Sequence, residues 1–318
     1  MKSTISIAFI IFMGQLLYAQ TRIASTVNFK SGEETIEGIL IRPKAEGKIP
    51  AVVFQQGSGN HSFDGYEKEA WGPHKFYIED VLLEQGYAIL YCNKRGLGNS
   101  TGNWRKNDFY GRADDAYAAV EYLKSRSDID PARIGISGHS QGGWIAQIAA
   151  SQHKDIAFVI SLAGPTVGVR EQTNRNDSLM YLCNGYPVDK LGRKMEKYRK
   201  RKKTSANIGK TLPFIKSAYF WHLIIDYNND ETLRNLTCPT LLLFAEHDIN
   251  VPPEQNIAHL NELFDKHPPS NLTVKVMKGG QHGFYKVQDR CVDWETATKG
   301  SFDSQFQDQI RQWLTNLR

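Results

Sequence analysis

Short apolar runs alternate along this chain with segments of helical periodicity, and that alternation constrains the fold more than any other feature. Ala51–Phe54, Tyr87–Cys92, Arg133–Ile136, Ile156–Leu162, Thr240–Ala245 and Leu272–Met277 are strand-length runs. Such short apolar runs between turn signals suit buried strands. Between them, Phe76–Gln85 and Ala113–Ser125 carry apolar residues at helical spacing, and Trp144–Ala150 opens another helix. Strand and helix taking turns predicts an α/β fold with a mainly parallel sheet covered on both faces. Ile36–Ile41, followed by Pro43, reads as a further strand at the sheet edge. The 318 residues suit one large α/β domain with an insertion, or two smaller domains. With 41% hydrophobic and 23% charged residues, a wholly disordered, collagen-like or polytopic membrane chain is excluded.

The rhythm breaks between Thr166 and Asp230. That segment is rich in Asn, Tyr and charge, with helical stretches around Ser178–Leu182 and Lys190–Lys202. It reads as a cap (166–230) inserted into a core formed by 20–165 and 231–318. The segment holds thirteen Lys and Arg against six Asp and Glu, a net +7, in a chain whose total is +5. Nine of those basic residues fall in Lys190–Lys203. The plain explanation is a solvated helix face on a lid. The sharper ones are steering of anionic substrates, or contact with an anionic surface such as lipid or polysaccharide. An exported chain without interleaved base-stacking aromatics is a poor nucleic-acid binder. Tyr181, Tyr186, Phe214, Tyr219, Phe220, Trp221 and Leu223 are expected to line or roof a pocket, though core packing accounts for some of them equally well.

Residues 1–19 stand apart. A lone Lys2, the apolar run Ile5–Met13 and Leu16-Leu-Tyr-Ala19 before the polar Gln20 have the pattern of a secretory signal. The run is shorter than the ~20 residues a membrane span needs. An exported protein, with the signal removed, is therefore expected. Export permits disulfides. Cys92 and Cys238 adjoin apolar runs and look like buried small hydrophobes, whereas Cys183 and Cys291 could pair. None has metal-ligand spacing, so no metal site is expected.

Gly138-His-Ser-Gln-Gly142 lies between a predicted strand and a predicted helix. In that setting G-x-S-x-G lifts a serine hydroxyl above the sheet on a sharp turn, and side chains two residues either side would block it. Gly143 would ease close packing of the helix. A serine needs a histidine to take its proton and a carboxylate to orient that histidine. Asp248, at the carboxyl end of the Leu241–Ala245 run, is the leading orienter and Glu246 the alternative. His282 sits in Gly279-Gly-Gln-His-Gly283, a loop expected to be flexible enough to swing over the sheet. His139 is expected to pack rather than react. The N–H of Gln141 and that of Ser58, in Gln56-Gly-Ser-Gly59, are the candidate oxyanion donors. Arg95-Gly-Leu-Gly98 lacks G-x-G-x-x-G spacing, so no dinucleotide cofactor is expected, and the triad needs none.

These motifs resemble those of serine α/β-hydrolases, in the bacterial esterase group near the dienelactone-hydrolase and prolyl-oligopeptidase-like branches. The resemblance rests on Gln56–Gly59, Arg95–Ser100, Gly138–Gly143, Pro239 through Pro252, and Gln281–Gly283, and runs from about Ile36 to the C-terminus. It implies the α/β-hydrolase fold, with the Arg95 segment buttressing the active-site loops. Two positions depart from that group's pattern, Gln56 where members often carry His and Asn93 where they often carry Asp. The expected activity is hydrolysis of a small-molecule acyl ester by Ser140, Asp248 and His282, with Tyr181 and Trp221 binding substrate. The same machinery serves peptidases, thioesterases and acyltransferases. A non-catalytic binding protein acting through the basic cap is the alternative of another class, and the intact Ser, Asp and His argue against it.

Overall fold

A computed structural model of the chain describes residues 22–60, 62–63, 78–292, 296 and 304–317. The proposed signal, residues 1–19, lies outside the described residues, as does the start of the helix expected at Phe76–Gln85. Eight described strands form one sheet: β1 (Arg22–Ser31), β2 (Glu34–Pro43), β3 (Ile49–Gln55), β4 (Ala88–Cys92), β5 (Ile129–His139), β6 (Val159–Leu162), β7 (Thr240–Ala245) and β8 (Leu272–Met277). Their order is β1-β2-β4-β3-β5-β6-β7-β8. From β4 to β8 the pairing is parallel, while β1 and β2 run antiparallel at one side.

The expected sheet-edge strand is not at the edge. β2 is covered by β1, a strand the apolar pattern did not reveal, because only Val27, Phe29 and Ser31 of its ten residues are buried. Every residue of β3 and β7 is buried, as in a sheet clothed on both faces. Successive side chains of a strand point to opposite faces. Ala51 and Val53 accordingly join one core, with the apolar sides of α2 (Phe109–Lys124) and α3 (Gln141–Gln152). Val52 and Phe54 join the other, with α1 (Asp80–Glu84) and α9 (Ser304–Thr315). The latter helix buries Phe306, Ile310 and Leu314, one residue per turn.

Between β6 and β7 the chain leaves the sheet as three helices, α4 (Val169–Cys183), α5 (Val188–Thr211) and α6 (Lys216–Ile224). Two short helices follow in the core, α7 (Asp230–Arg234) and α8 (Pro253–Leu263). α5 and α6 approach so closely at Gly209 that a Cβ there would lie 2.0 Å from the Ala218 carbonyl oxygen. Lys202 pairs with Asp177, tying α5 to α4. α6 rests on the 3₁₀ turn Trp104–Lys106, where Phe220 meets Trp104 edge-on at 5.2 Å between ring centres. A disulfide joins Cys183, at the end of α4, to Cys291. Cys92 is buried, while Cys238 is only partly so. Among the described residues no helix is long and apolar enough to cross a membrane.

Candidate active site

The nucleophile turn follows from three close backbone approaches. β5 ends at His139 and α3 begins at Gln141, leaving Ser140 alone at φ +55°, ψ −123°. A non-glycine residue in that region carries strain of ~1–3 kcal/mol and persists only when its surroundings hold it there. Here the Ser140 N–H donates to the Leu162 carbonyl at 2.9 Å, and the Gly143 N–H donates to the Ser140 carbonyl at 2.8 Å. A Cβ on Gly138 would meet the Gly142 oxygen at 2.0 Å, and one on Gly142 would meet the Gln55 oxygen at 2.1 Å. Gly143 packs on Gly164, where a Cβ would come within 2.5 Å. The glycines of the motif are therefore steric requirements of the turn.

Asp248 stands in the turn after β7 and is wholly buried. Its Oδ1 accepts the N–H groups of Asn250 at 2.7 Å and Val251 at 2.9 Å. Its Oδ2 lies 2.7 Å from His282 Nδ1. With one oxygen occupied by backbone, the carboxylate offers the other to the imidazole. That contact assigns the proton to Nδ1 and leaves Nε2 as the acceptor. Glu246, the alternative orienter, instead accepts from Lys278 Nζ at 2.8 Å and from the Gly279 N–H at 2.9 Å. It braces the foot of the histidine loop.

That loop differs from the swinging segment expected from its glycines. The His247 N–H donates to the Gly280 carbonyl at 2.7 Å, and the Val287 N–H donates to Gly279 at 2.8 Å. Phe284 is fully buried beneath it. His139 Nε2 lies 2.9 Å from the His282 carbonyl oxygen, and the two imidazoles sit 4.8 Å apart. His139, the residue before Ser140, thus ties the histidine loop to the end of β5. The glycine content suggested mobility, but the backbone bonds and Phe284 pin the loop.

Gln141 occupies the first turn of α3, where backbone N–H groups lack intrahelical partners and suit a developing oxyanion. Gly57 packs against Ser140: a Cβ on Gly57 would come within 3.2 Å of Ser140 Cβ. Ser58 is the next residue and is exposed. Two cations that the sequence reading passed over hold this loop. Lys94 Nζ donates to the Gly57 oxygen at 2.6 Å and the Gly59 oxygen at 2.8 Å. Arg112, buried in α2, donates to the Gln141 side-chain oxygen at 2.5 Å and to the Gln56 carbonyl at 2.9 Å. Burial lowers the Arg112 pKa to about 10. Burial, with the Arg112 charge added, also holds Lys94 well below the lysine range. A lysine directly before the Arg95-Gly pair was the available signal; Arg112 had none, being one charge within an amphipathic helix.

The Arg95 segment is a buttress. Arg95 forks onto Asp115 with bonds of 2.7–3.0 Å. Asn93 donates to Glu37 at 2.9 Å and accepts the Phe63 N–H at 2.7 Å. The unusual Asn93 is thereby explained, since an amide can donate to the Glu37 carboxylate and an aspartate could not. Gln56, the other departure, donates to the Cys92 carbonyl at 3.2 Å.

The expected substrate-binding aromatics divide. Tyr181 packs among the inserted helices, 5.5 Å from Tyr186 and 6.4 Å from Tyr198 between ring centres. Trp221 leans on the main core with Lys202 Nζ 5.4 Å from its ring centre, and its buried Nε1–H has no hydrogen-bond acceptor among the described residues. Phe214, expected to line or roof a pocket, has 74% of its surface exposed. Among the described residues no group of three or more His, Cys, Asp or Glu is placed to hold a metal.

Residues 74–309 match the prolyl oligopeptidase family of peptidases. The chain belongs to the prolyl oligopeptidase family. It is 26% identical over 292 residues to esterase EstD of Thermotoga maritima, covering 90% of this chain and 68% of that protein. It is 29% identical over 147 residues to the putative hydrolase YtaP of Bacillus subtilis, covering 42% of this chain and 49% of that one. The fold is similar to that of the Pyrococcus furiosus esterase Pf2001, with a TM-score of 0.60, 16% identity, and coverage of 93% of this chain and 91% of the other. The protein is a serine hydrolase of the α/β-hydrolase fold.

Proposed function

We propose that the protein is an exported hydrolase of carboxylic esters that works through an acyl-enzyme. Ser140 Oγ attacks the ester carbonyl while His282 Nε2 takes its proton. The N–H groups of Gln141 and Ser58 stabilise the tetrahedral oxyanion, and His282 then protonates the departing alcohol. Water, deprotonated by the same imidazole, releases the acid and restores Ser140. Asp248 holds the imidazole's tautomer throughout.

The observation that carries this reading is the Asp248–His282 contact of 2.7 Å, on a loop held at the His282 carbonyl by His139, the neighbour of the strained Ser140. The choice of ester over peptide draws on the similarity to EstD, which spans 90% of this chain. Export draws on the Lys2–Gln20 pattern and on the Cys183–Cys291 disulfide, since such bonds persist in oxidising compartments. We assign the helices α4–α6 to a cap over the site, resting on Trp104, with the Nε1–H of Trp221, which has no acceptor among the described residues, as its substrate contact.

A panel of nitrophenyl esters of rising acyl length, run beside aminoacyl anilides and thioesters, tests the assignment. Ester turnover that vanishes in Ser140→Ala is the expected result. Turnover of the anilides alone would replace the ester reading with a peptidase one.

A further inference from the structure

We propose that the α5–α6 hairpin docks onto anionic lipid bilayers, a binding function separate from ester hydrolysis. α5 is held by a narrow stripe in which Met195, Ala206 and Gly209 are buried. Its opposite side is committed to solvent, and there Lys190, Arg193, Lys197, Lys200 and Arg201 are all exposed. The acids on α5 are two, Asp189 and Glu196, both exposed, against five exposed bases on this face. Glu196 pairs with Lys200 at 2.7 Å, and Asp177 of α4 is taken by Lys202 on the inner side.

The second observation is apolar. The basic face runs into Ile208 and then the turn Leu212-Pro213-Phe214-Ile215, which leads into α6. Ile208, Leu212, Phe214 and Ile215 are 40%, 39%, 74% and 37% exposed. Single exposed apolar side chains are ordinary, but four within eight residues at the tip of a helical hairpin make a patch. Exposed Lys210 and Lys216 frame it, with stems long enough to let the tip sink while the ammonium groups stay at headgroup level.

Charge and apolarity together select the partner. A basic face alone would suit any polyanion, polysaccharide included. A phenylalanine with three-quarters of its surface in water gains where an apolar phase lies beyond the anionic layer, which a polysaccharide does not offer. That order of surfaces, anion first and hydrocarbon behind, is the interface of a bilayer containing acidic phospholipids.

The test is sedimentation of the full chain with vesicles of phosphatidylcholine alone and of phosphatidylcholine mixed with phosphatidylglycerol. Binding is expected only to the mixed vesicles, weakening as salt rises. Phe214→Asp should weaken partition about tenfold or more, the factor that losing ~1.5 kcal/mol of aromatic burial produces. The combined Lys197→Glu, Lys200→Glu and Arg201→Glu change should abolish it, with Tm and far-UV circular dichroism confirming that both variants fold. No binding to mixed vesicles at low salt would overturn the proposal. So would partition unchanged by Phe214→Asp; equal binding of wild type and that variant to an anionic polysaccharide such as dextran sulfate would then identify a polyanion site.

Discussion

Replacing Lys94 with Met removes three donors while keeping the length of the side chain. In the native structure the ammonium spans the oxyanion loop, donating to Gly57 at 2.6 Å and Gly59 at 2.8 Å. Hydrogen bonds from charged donors contribute ~1.5–3 kcal/mol each, so the pair sets a ceiling of ~3–6 kcal/mol. Gly59 is exposed and Gly57 half-buried, so water can replace much of what is lost at Gly59. The expected loss of stability is then ~1–3 kcal/mol, the cost of one buried carbonyl left without a donor. Catalysis should suffer more. Gly57 abuts Ser140, and a loop released by a fraction of an ångström would misplace the proposed Ser58 donor. Removing one oxyanion donor outright costs ~10²–10³ in kcat, so displacing one should cost ~10–100-fold with KM little changed. Ester kinetics and urea denaturation measured on the same preparation separate the two effects. Lys94 also carries a pH signature. Its pKa is held well below 10.5 by burial and by the Arg112 charge. Between the folded pKa and 10.5 the unfolded chain binds more protons, so the native state gains stability as pH rises through that window. Lys94→Met should flatten that rise. A kcat within about twofold of wild type, whatever the stability, would refute the claim that this ammonium sets the oxyanion geometry.

Two further perturbations probe the supports of the site. Although burial raises it, the Glu37 pKa is held below the usual carboxylate value by hydrogen bonds from Asn99 and Asn93, so Glu37 contributes stability at neutral pH that is lost on acidification. Asn93→Asp sets a second carboxylate against it. The variant should lose ~1–3 kcal/mol at neutral pH and recover part of it as one carboxyl protonates, read from urea denaturation at the two pH values; an undiminished deficit in acid would contradict the like-charge cause. Cys291→Ser opens a bond that joins residues 108 apart and ties α4 to the chain beyond the histidine loop. Its stability should fall by ~2–4 kcal/mol, and reductant should lower the Tm of the wild type but not of the variant.

How much of this was legible depended on sequence range. The buried strands were visible because a sheet covered on both faces demands continuous apolar runs. The Ser140 turn was visible because the glycines it requires lie within six residues, Gly138 to Gly143, although two of their close approaches are to the distant Gln55 and Gly164. β1 was not, since four of its first five residues are exposed and its partnership with β2 leaves only Val27, Phe29 and Ser31 buried. The basic stretch Lys190–Lys202 was seen as helical, but α5 continues to Thr211 because Ala206 and Gly209 pack on α6, a tertiary contact with no local signature. Lys94 and Arg112 escaped for the same reason. Their acceptors lie 37 and 56 residues away along the chain, and a lone cation in a helix or after a strand reads as surface. Phe214 was assigned to a pocket on residue type alone, and the hairpin turns it outward.

Covalent labelling at the nucleophile tests the central claim most directly. The protein is incubated with a fluorophosphonate, digested, and its peptides weighed by mass spectrometry. The account predicts one adduct, on the peptide containing Ser140, absent in Ser140→Ala and slowed strongly in His282→Ala. Equal labelling of wild type and Ser140→Ala, or an adduct at another serine, would contradict it.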